Sequence, residues 1–193
     1  MHRLETVTKT VGAMLLARGY DISAFAAPDA VPSSPQTMFV AERSADAPAA
    51  LQFMGSTRIT CRFILDTKAK SSEVNSVLRS LRLGGFTHGI AVFQSLTAGG
   101  SRAALADLDL RLELFAVGEV VMNVMDSNLY IPHVPLVYGS AEDVELRTYA
   151  TKLPILRRSD SIARRLGLLP NQIVRVERAR LEHSQLDAYR IVR

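Results

Sequence analysis

Residues 57–94 read TRITCRFILDTKAKSSEVNSVLRSLRLGGFTHGIAVFQ, and this stretch decides the fold class of the N-terminal part of the chain. Apolar and polar residues alternate from Thr57 to Leu65, which predicts a strand whose apolar face includes a buried Cys61. Apolar residues then recur at intervals of three and four, which predicts a helix capped by Ser71 or Ser72. A second strand is expected from His88 to Gln94. This order of strand, helix and strand indicates an α/β layer with adjacent parallel strands.

The same periodicities predict the elements on either side of this stretch. An amphipathic helix that Gly19 ends should precede it, and residues 38–40 and 110–114 should form two more strands. Residues 24–35 are rich in Ala, Pro and Ser, which indicates an extended connection.

Two further segments are less clear from pattern alone. The apolar run 117–125 is compatible with a helix or a strand, and Met122 and Met125 within it are expected in the core. The Gly-rich residues 96–102 are expected to form a flexible loop, with Ser101 capping a short helix after it.

The chain changes character near Asn128. Residues 130–135 read YIPHVP, which is typical of a break between regular elements. We therefore place a domain boundary there, which gives an α/β domain over residues 1–127 and a small α+β module over residues 128–193.

Helix starts and stops organise the second module. Ser140 followed by Asp143 is typical of a capped helix start. Ser159 or Asp160 should cap a second helix that Gly167 closes, with Arg164 and Arg165 facing outward. Residues 172–178 and 187–192 alternate in the manner of short strands.

Composition excludes several classes of protein. The chain has 193 residues, of which 48 % are hydrophobic and 22 % charged, so it can bury a core and is not a disordered chain. A single cysteine excludes an internal disulfide and a cysteine-rich zinc site, and it favours a reducing compartment. No apolar run is long enough for a membrane span, so the sequence predicts a soluble intracellular protein without a membrane partner.

The positive charge is concentrated in the second module. Residues 1–127 carry 12 Lys/Arg and 12 Asp/Glu, whereas residues 128–193 carry 11 against 7. Such a field attracts phosphate or an acidic protein surface, although clusters of this kind are also found on ordinary solvated faces.

No catalytic, metal or cofactor signature is present in the sequence. The four histidines are far apart and lack metal-ligand spacing; they are His2, His88, His133 and His183. Asp107 and Asp109 are expected on one face of a strand, without a third ligand. Because no nucleophile elbow or nucleotide-binding motif occurs, we expect no catalytic residues, no cofactor and no small-molecule substrate.

The C-terminal motifs are more specific than any of these patterns. In chain order they are Leu153-Pro154-Ile155, Asp160-Ser161-Ile162-Ala163, Leu166-Gly167-Leu168, Gln172-Ile173-Val174-Arg175-Val176-Glu177-Arg178 and Ala188-Tyr189-Arg190-Ile191-Val192. This order resembles the assembly domain of subunit 5 of the eukaryotic nuclear RNA polymerases, which has a counterpart among the small subunits of the archaeal polymerase. Earlier segments are similar to the jaw domain of the eukaryotic protein: Arg18-Gly19-Tyr20, Met38-Phe39-Val40 and Gly89-Ile90-Ala91-Val92-Phe93-Gln94.

The resemblance implies a non-catalytic subunit of a nuclear DNA-directed RNA polymerase I, II or III, located in the nucleolus if it serves polymerase I. Residues 1–127 would form an α/β jaw near downstream DNA, and residues 128–193 would dock on the largest subunit beside neighbouring subunits. The loop near downstream DNA is then Gly99, Gly100, Ser101 and Arg102. The assembly motif is Leu153, Pro154, Asp160, Leu166, Gly167, Val174, Tyr189 and Arg190.

Three departures from the family pattern bear on which polymerase is served. Ala98-Gly99-Gly100-Ser101 replaces a Thr-Pro-Ser-Ala turn, Asp160-Ser161 replaces Asp-Pro, and residues 180–186 replace a Ser-Glu-Thr-x-Gly-Arg-Tyr segment. A class-specific paralogue, such as one dedicated to polymerase I in trypanosomatids, or a viral copy fits these departures. The alternative functions are a free-standing nucleic-acid-binding transcription regulator and, with the least support, a nuclease using Asp66 and Lys68.

Overall fold

The computed structural model describes residues 2–23, 38–47, 49, 56–177 and 187–193. It divides into two compact units, one of Met1–Ala45 with Gly55–Asn123 and one of Asp46–Met54 with Val124–Arg193. The predicted connection at residues 24–35 and the departure at residues 180–186, with His183, lie outside the described residues. The roles predicted for residues 1–127 and 128–193 remain predictions.

The first unit is built on a mixed sheet. Its described elements are α1 (His2–Ala17), β1 (Met38–Glu42), β2 (Arg58–Ala69), α2 (Ser71–Leu83), β3 (His88–Leu96), α3 (Ala98–Ala106), β4 (Arg111–Ala116) and α4 (Val117–Val120). The described strands lie in the order β1-β2-β3-β4. β1 is antiparallel to β2, whereas β2, β3 and β4 run parallel. The predicted parallel crossover is therefore confirmed.

Helices cover both faces of this sheet, as a parallel sheet requires. Apolar side chains of α1 and α4 pack on the face that carries Ile59, Cys61 and Phe63. On the opposite face, α2 and α3 cover Ala91 and Phe93. Cys61 is fully buried, as the alternation predicted, and burial raises the pKa of its thiol to about 12. This thiol therefore stays protonated and inert at neutral pH.

Two polar side chains of β2 have specific partners in the first unit. Arg62 donates from Nη1 to Ser80 Oγ on α2 at 3.0 Å, and Thr60 donates to the carbonyl oxygen of Phe39 at 3.0 Å. The predicted helix cap is wrong, because α2 begins at Ser71 and its N-cap is Lys70, which makes no side-chain cap bond.

Three expectations for the end of the first unit are also corrected. Residues 117–125 are neither one strand nor one helix, since α4 ends at Val120 and a single 3-10 turn spans Val124–Asp126. Met122 is 73 % exposed and so lies outside the core. Asp107 and Asp109 lie in the turn before β4, where Asp107 accepts from the backbone N–H of Asp109 and binds Arg82 at 2.6 Å.

The second unit is a small α+β module with its own sheet. Its described elements are the 3-10 turn Val124–Asp126, β5 (His133–Pro135), α5 (Ala141–Arg147), β6 (Ile155–Leu156), α6 (Ser161–Leu166), β7 (Ile173–Val176) and β8 (Ala188–Val192). The described strands lie in the order β5-β7-β8-β6, with β6 parallel to β8 and the other pairs antiparallel. Residues 130–135 thus end in a short edge strand, where only a break was expected.

Three helix ends in this unit behave as the sequence predicts. Ser140 caps α5 by accepting from the backbone N–H of Asp143, and Asp160 caps α6 by accepting from that of Ile162. Gly167 ends α6 with a φ of 65°, in the left-handed region that suits glycine. The prediction that both arginines of α6 face outward is wrong for Arg165, which is only 3 % exposed.

A buried ionic network ties α1 to the sheet of the first unit. Both Nη atoms of Arg18 donate to the Glu113 carboxylate, at 3.0 and 2.9 Å. His88 Nε2 lies 2.7 Å from the same carboxylate and Arg111 lies 3.2 Å from it. Arg18 and His88 are 2 % and 3 % exposed, so the Arg18 charge and the His88 ring are almost fully removed from water.

At neutral pH the network contains an ionised Glu113 and a neutral His88. Burial would raise the pKa of Glu113, but the charge of Arg18 and the His88 hydrogen bond outweigh it and hold that pKa well below its usual range. Burial lowers the pKa of His88 below 6.5, so the ring is neutral at pH 7 and donates from Nε2 to the carboxylate. Its Nδ1 is buried without a hydrogen-bond partner in the described part of the chain.

Glu113→Gln should lower the free energy of unfolding by about 3–5 kcal/mol, since it leaves the buried Arg18 charge uncompensated. Chemical denaturation of the full chain measures this. The matched control is Glu42→Gln, which breaks the exposed Glu42–Arg58 pair and should cost under about 1 kcal/mol. Equal losses for the two variants would contradict the structural role of the network.

The wild-type chain should also lose stability as pH falls. The lowered pKa of His88 means that the unfolded state takes up a proton first, below pH 6.5. The lowered pKa of Glu113 adds a second loss as pH falls below about 4.3, the ordinary value of an unfolded glutamate. Glu113→Gln should remove that second loss.

Candidate functional site

The described residues hold no group of three or more His, Cys, Asp or Glu side chains that could bind a metal ion. No helix in the described ranges is long and apolar enough to cross a membrane. The buried Glu113 network is enclosed and its carboxylate is saturated by Arg18, His88 and Arg111. The sequence singled out two other segments, the predicted jaw loop at residues 99–102 and the assembly motif of the second unit.

The segment predicted as a jaw loop is the first part of a helix. Thr97 caps α3 by accepting from the N–H of Gly100 at 3.1 Å, and Ser101 donates its backbone N–H to Thr97. Gly99 and Ser101 are half-buried and Gly100 is buried, whereas Arg102 is exposed. The Arg102 Nε donates to the carbonyl oxygen of Ala98 at 3.4 Å. Of these four predicted loop residues, Arg102 alone presents an exposed side chain to solvent.

Gly100 is required by a close approach to β2. A Cβ atom built at this position would lie 2.0 Å from the carbonyl oxygen of Ala69. That same carbonyl accepts the Thr97 hydroxyl at 2.6 Å. Glycine at position 100 therefore lets α3 sit against the end of β2, which is a packing role rather than the loop flexibility that the sequence indicated.

The assembly motif consists largely of residues that hold the second unit together. Leu166 and Val174 are buried, and Leu153 packs against the cluster formed by Leu136, Ile173 and Ile191. Pro154 is exposed, and its carbonyl oxygen accepts from Ile191 N–H at 3.0 Å. Asp160 and Gly167 are the two caps of α6. Tyr189 packs against the same cluster, so seven of the eight motif residues have a structural role within the unit.

Tyr189 belongs to a polar network on the outer part of the same sheet. Its hydroxyl donates to Glu142 Oε1 at 2.7 Å, and this hydrogen bond raises the pKa of Tyr189 to about 12. Arg175 lies opposite Tyr189 on β7 and contacts Glu177 at 3.1 Å and Glu142 at 3.7 Å. Arg190, the last motif residue, is half-buried on β8. The Arg175 charge is thereby engaged within the unit.

A surface on α5 was missed by sequence reasoning. Tyr138 is 69 % exposed, and the Arg147 guanidinium lies over its ring at 4.7 Å. Val144, one turn earlier on α5, is 56 % exposed. Burial alone would raise the pKa of Asp143, but its hydrogen bond from Arg147 outweighs this and lowers that pKa. We call Tyr138, Val144 and Arg147 the α5 patch. Its one signal in the sequence is Val144, an apolar residue at a position that helical spacing places on the outer face of α5.

Fewer basic side chains of the second unit are exposed and unpaired than its composition indicated. Arg165 is buried, Arg147 is held by Asp143, and Arg175 is held by acidic neighbours. The exposed cations among the described residues of this unit are Lys152, Arg157, Arg158 and Arg193.

Comparison with known protein families finds a match over the C-terminal part of the chain. Residues 122–192 match the family described as RNA polymerase Rpb5, C-terminal domain. The match begins at Met122, just before the 3-10 turn, and ends at Val192 on β8. The resemblance stated from the C-terminal motifs is therefore confirmed over these residues, while the resemblance of residues 1–121 to a jaw domain remains a prediction.

Gly167→Val should destabilise the second unit, because a β-branched side chain is strained at a φ of 65°. Gly167→Asn is the matched control, since asparagine tolerates this region better. Thermal unfolding of both variants measures the effect, and the valine variant should melt several degrees lower. Equal melting temperatures for the two variants would show that backbone conformation at position 167 carries little energy.

Proposed function

We propose, from the match of residues 122–192 to the C-terminal domain of RNA polymerase Rpb5, that the chain is a non-catalytic subunit of a DNA-directed RNA polymerase. In this proposal the second unit docks on the largest subunit and contacts neighbouring subunits. The first unit forms part of the lower jaw beside downstream duplex DNA. The observation that carries the proposal is the family match, because it covers nearly a whole folded unit.

The other features of the chain are consistent with an assembly role. The Glu113 carboxylate is paired with Arg18, His88 and Arg111, and the Cys61 thiol is buried. A subunit of this kind works in the nucleus, and in the nucleolus if it serves polymerase I. It needs neither a cofactor nor a small-molecule substrate.

We assign docking to the α5 patch of the second unit. Most motif residues are inside the unit, so a partner protein must contact the side chains that remain outside. Tyrosine and arginine are enriched at the centres of protein interfaces, where aromatic and guanidinium groups bury a large area at low entropic cost. The α5 patch offers both, with Arg147 already fixed over Tyr138 by its bond to Asp143. Little side-chain freedom is lost when such a pair is covered.

The tagged full chain, washed at high salt, should retain a largest polymerase subunit, and mass spectrometry of that subunit identifies the polymerase class. The double variant Tyr138→Ala/Val144→Asp should reduce this recovery at least tenfold, by analogy with hot-spot residues worth about 2 kcal/mol. The control is Leu105→Ala/Leu108→Asp, which alters two equally exposed leucines of the first unit. Circular dichroism establishes that both variants are folded.

Two outcomes would oppose the proposal at different levels. If the wild-type chain retains no polymerase subunit, the domain is used outside the polymerase and a free-standing nucleic-acid-binding regulator becomes the better explanation. If both double variants retain the largest subunit as well as the wild type does, docking uses another surface.

We further propose that Arg102 contacts a downstream phosphate in the assembled enzyme. Arg102→Ala should speed dissociation of elongation complexes and make it less dependent on salt, because one phosphate contact is lost. Arg79→Ala, an equally exposed arginine on α2, is the control and should leave the salt dependence unchanged. An identical salt series for Arg102→Ala and wild type would remove Arg102 from the proposal.

A further inference from the structure

A cluster of arginines forms where β6 and β8 end side by side. The parallel pairing of Leu156 with Val192 continues beyond the strands through two backbone hydrogen bonds. Arg193 donates its N–H to the carbonyl oxygen of Leu156 at 3.0 Å, and Arg158 donates to that of Arg193 at 2.9 Å. In a parallel ladder these two bonds place Arg193 opposite Arg157, so residues 36 positions apart in sequence come to the spacing of neighbouring strands, about 4.8 Å. We call Arg157, Arg158 and Arg193 the arginine edge.

The arginine edge differs from the arginines of its unit that acidic side chains engage. All three side chains are exposed, and none has a hydrogen-bond or ion-pair partner among the described residues. Arg147 and Arg175, by contrast, are held by acidic side chains. Since neighbouring guanidinium groups repel one another, three unpaired arginines at one edge add no stability to the isolated chain. Their arrangement is better suited to an anionic partner than to folding.

The nearest acid in sequence does not neutralise the edge. Asp160 accepts from the backbone N–H of Ile162 at 2.8 Å, and this bond turns its carboxylate toward the first turn of α6. Its own N–H donates to the carbonyl oxygen of Arg157. The acidic cluster of the unit, formed by Glu142, Glu177 and Asp187, is gathered around Arg175 on β7. The edge therefore keeps a positive local potential.

We propose that the arginine edge binds the phosphate backbone of duplex nucleic acid without reading its sequence. Guanidinium groups form forked hydrogen bonds with phosphate oxygens, and adjacent strands place them close enough to contact neighbouring phosphates of one backbone. Protein interfaces are built around an apolar or aromatic centre, and single strands are bound by stacking on aromatic rings. The three residues of the edge supply neither, so a duplex backbone fits it best. This site lies in the second unit and is independent of the contact proposed for Arg102.

The proposal is tested by anisotropy titrations of the purified full chain with a fluorescent DNA duplex of arbitrary sequence over a salt series. The triple variant Arg157→Gln/Arg158→Gln/Arg193→Gln should reduce the slope of log K against log salt by up to about 2.7, since each phosphate contact contributes about 0.9. The matched control is Lys9→Gln/Lys70→Gln/Arg79→Gln, which removes the same charge from exposed positions of the first unit. Its slope should stay close to that of wild type.

Three results would overturn the proposal. They are a wild-type chain that does not bind the duplex at low salt, equal slopes for the two triple variants, and an edge variant that loses binding of poly-glutamate but keeps binding of the duplex. The last result would identify an acidic protein segment as the ligand. Recovery of polymerase subunits with the edge variant, measured in parallel, separates failure of this inference from failure of the proposed function.

Discussion

The fold of the first unit depends on one constraint, the burial of β3 on both faces and along both edges. Strand β3 pairs in parallel with β2 on one side and β4 on the other, so its backbone groups are satisfied within the sheet. Its residues from His88 to Phe93 are all buried, and helices must therefore cover both sides of it. The crossover helices α2 and α3 supply one layer, while α1 and α4 supply the other. The positions of these helices on the two faces of the sheet follow from this need.

The same constraint makes the Glu113 network necessary. Glu113 lies on β4 next to Ile90 of the central strand, on the face that α1 covers. A carboxylate there is out of water and must be paired, and Arg18 from the end of α1 provides the charge. The ion pair fixes the position of α1 on the sheet, because a shift of the helix would separate the buried charges of Arg18 and Glu113.

In the second unit, the residues that carry the family resemblance are mainly those that build the module. Leu166, Val174 and Gly167 shape the interior and the end of α6, and they are exposed too little to contact a partner. Apart from Pro154, the exposed side chains of this unit were not part of the motif. The α5 patch offers an aromatic and guanidinium surface, and the arginine edge offers unpaired charge. Recognition of the family and recognition of its contact surfaces therefore rest on different residues.

The parallel crossover, the Asp160 cap, the left-handed Gly167 and the family resemblance of residues 122–192 could all be predicted from the sequence. Local spacing and motif order, on which they depend, are properties of the chain alone. Predictions failed where a distant contact decided the outcome. The packing role of Gly100 depends on the carbonyl oxygen of Ala69, which is distant in sequence, so the sequence indicated loop flexibility instead. Which charges are paired also depends on tertiary structure, which buries Arg165 and leaves the arginine edge exposed. Ion pairing and exposure depend on which segments meet in space, and residues far apart in sequence meet only when the sheet has formed.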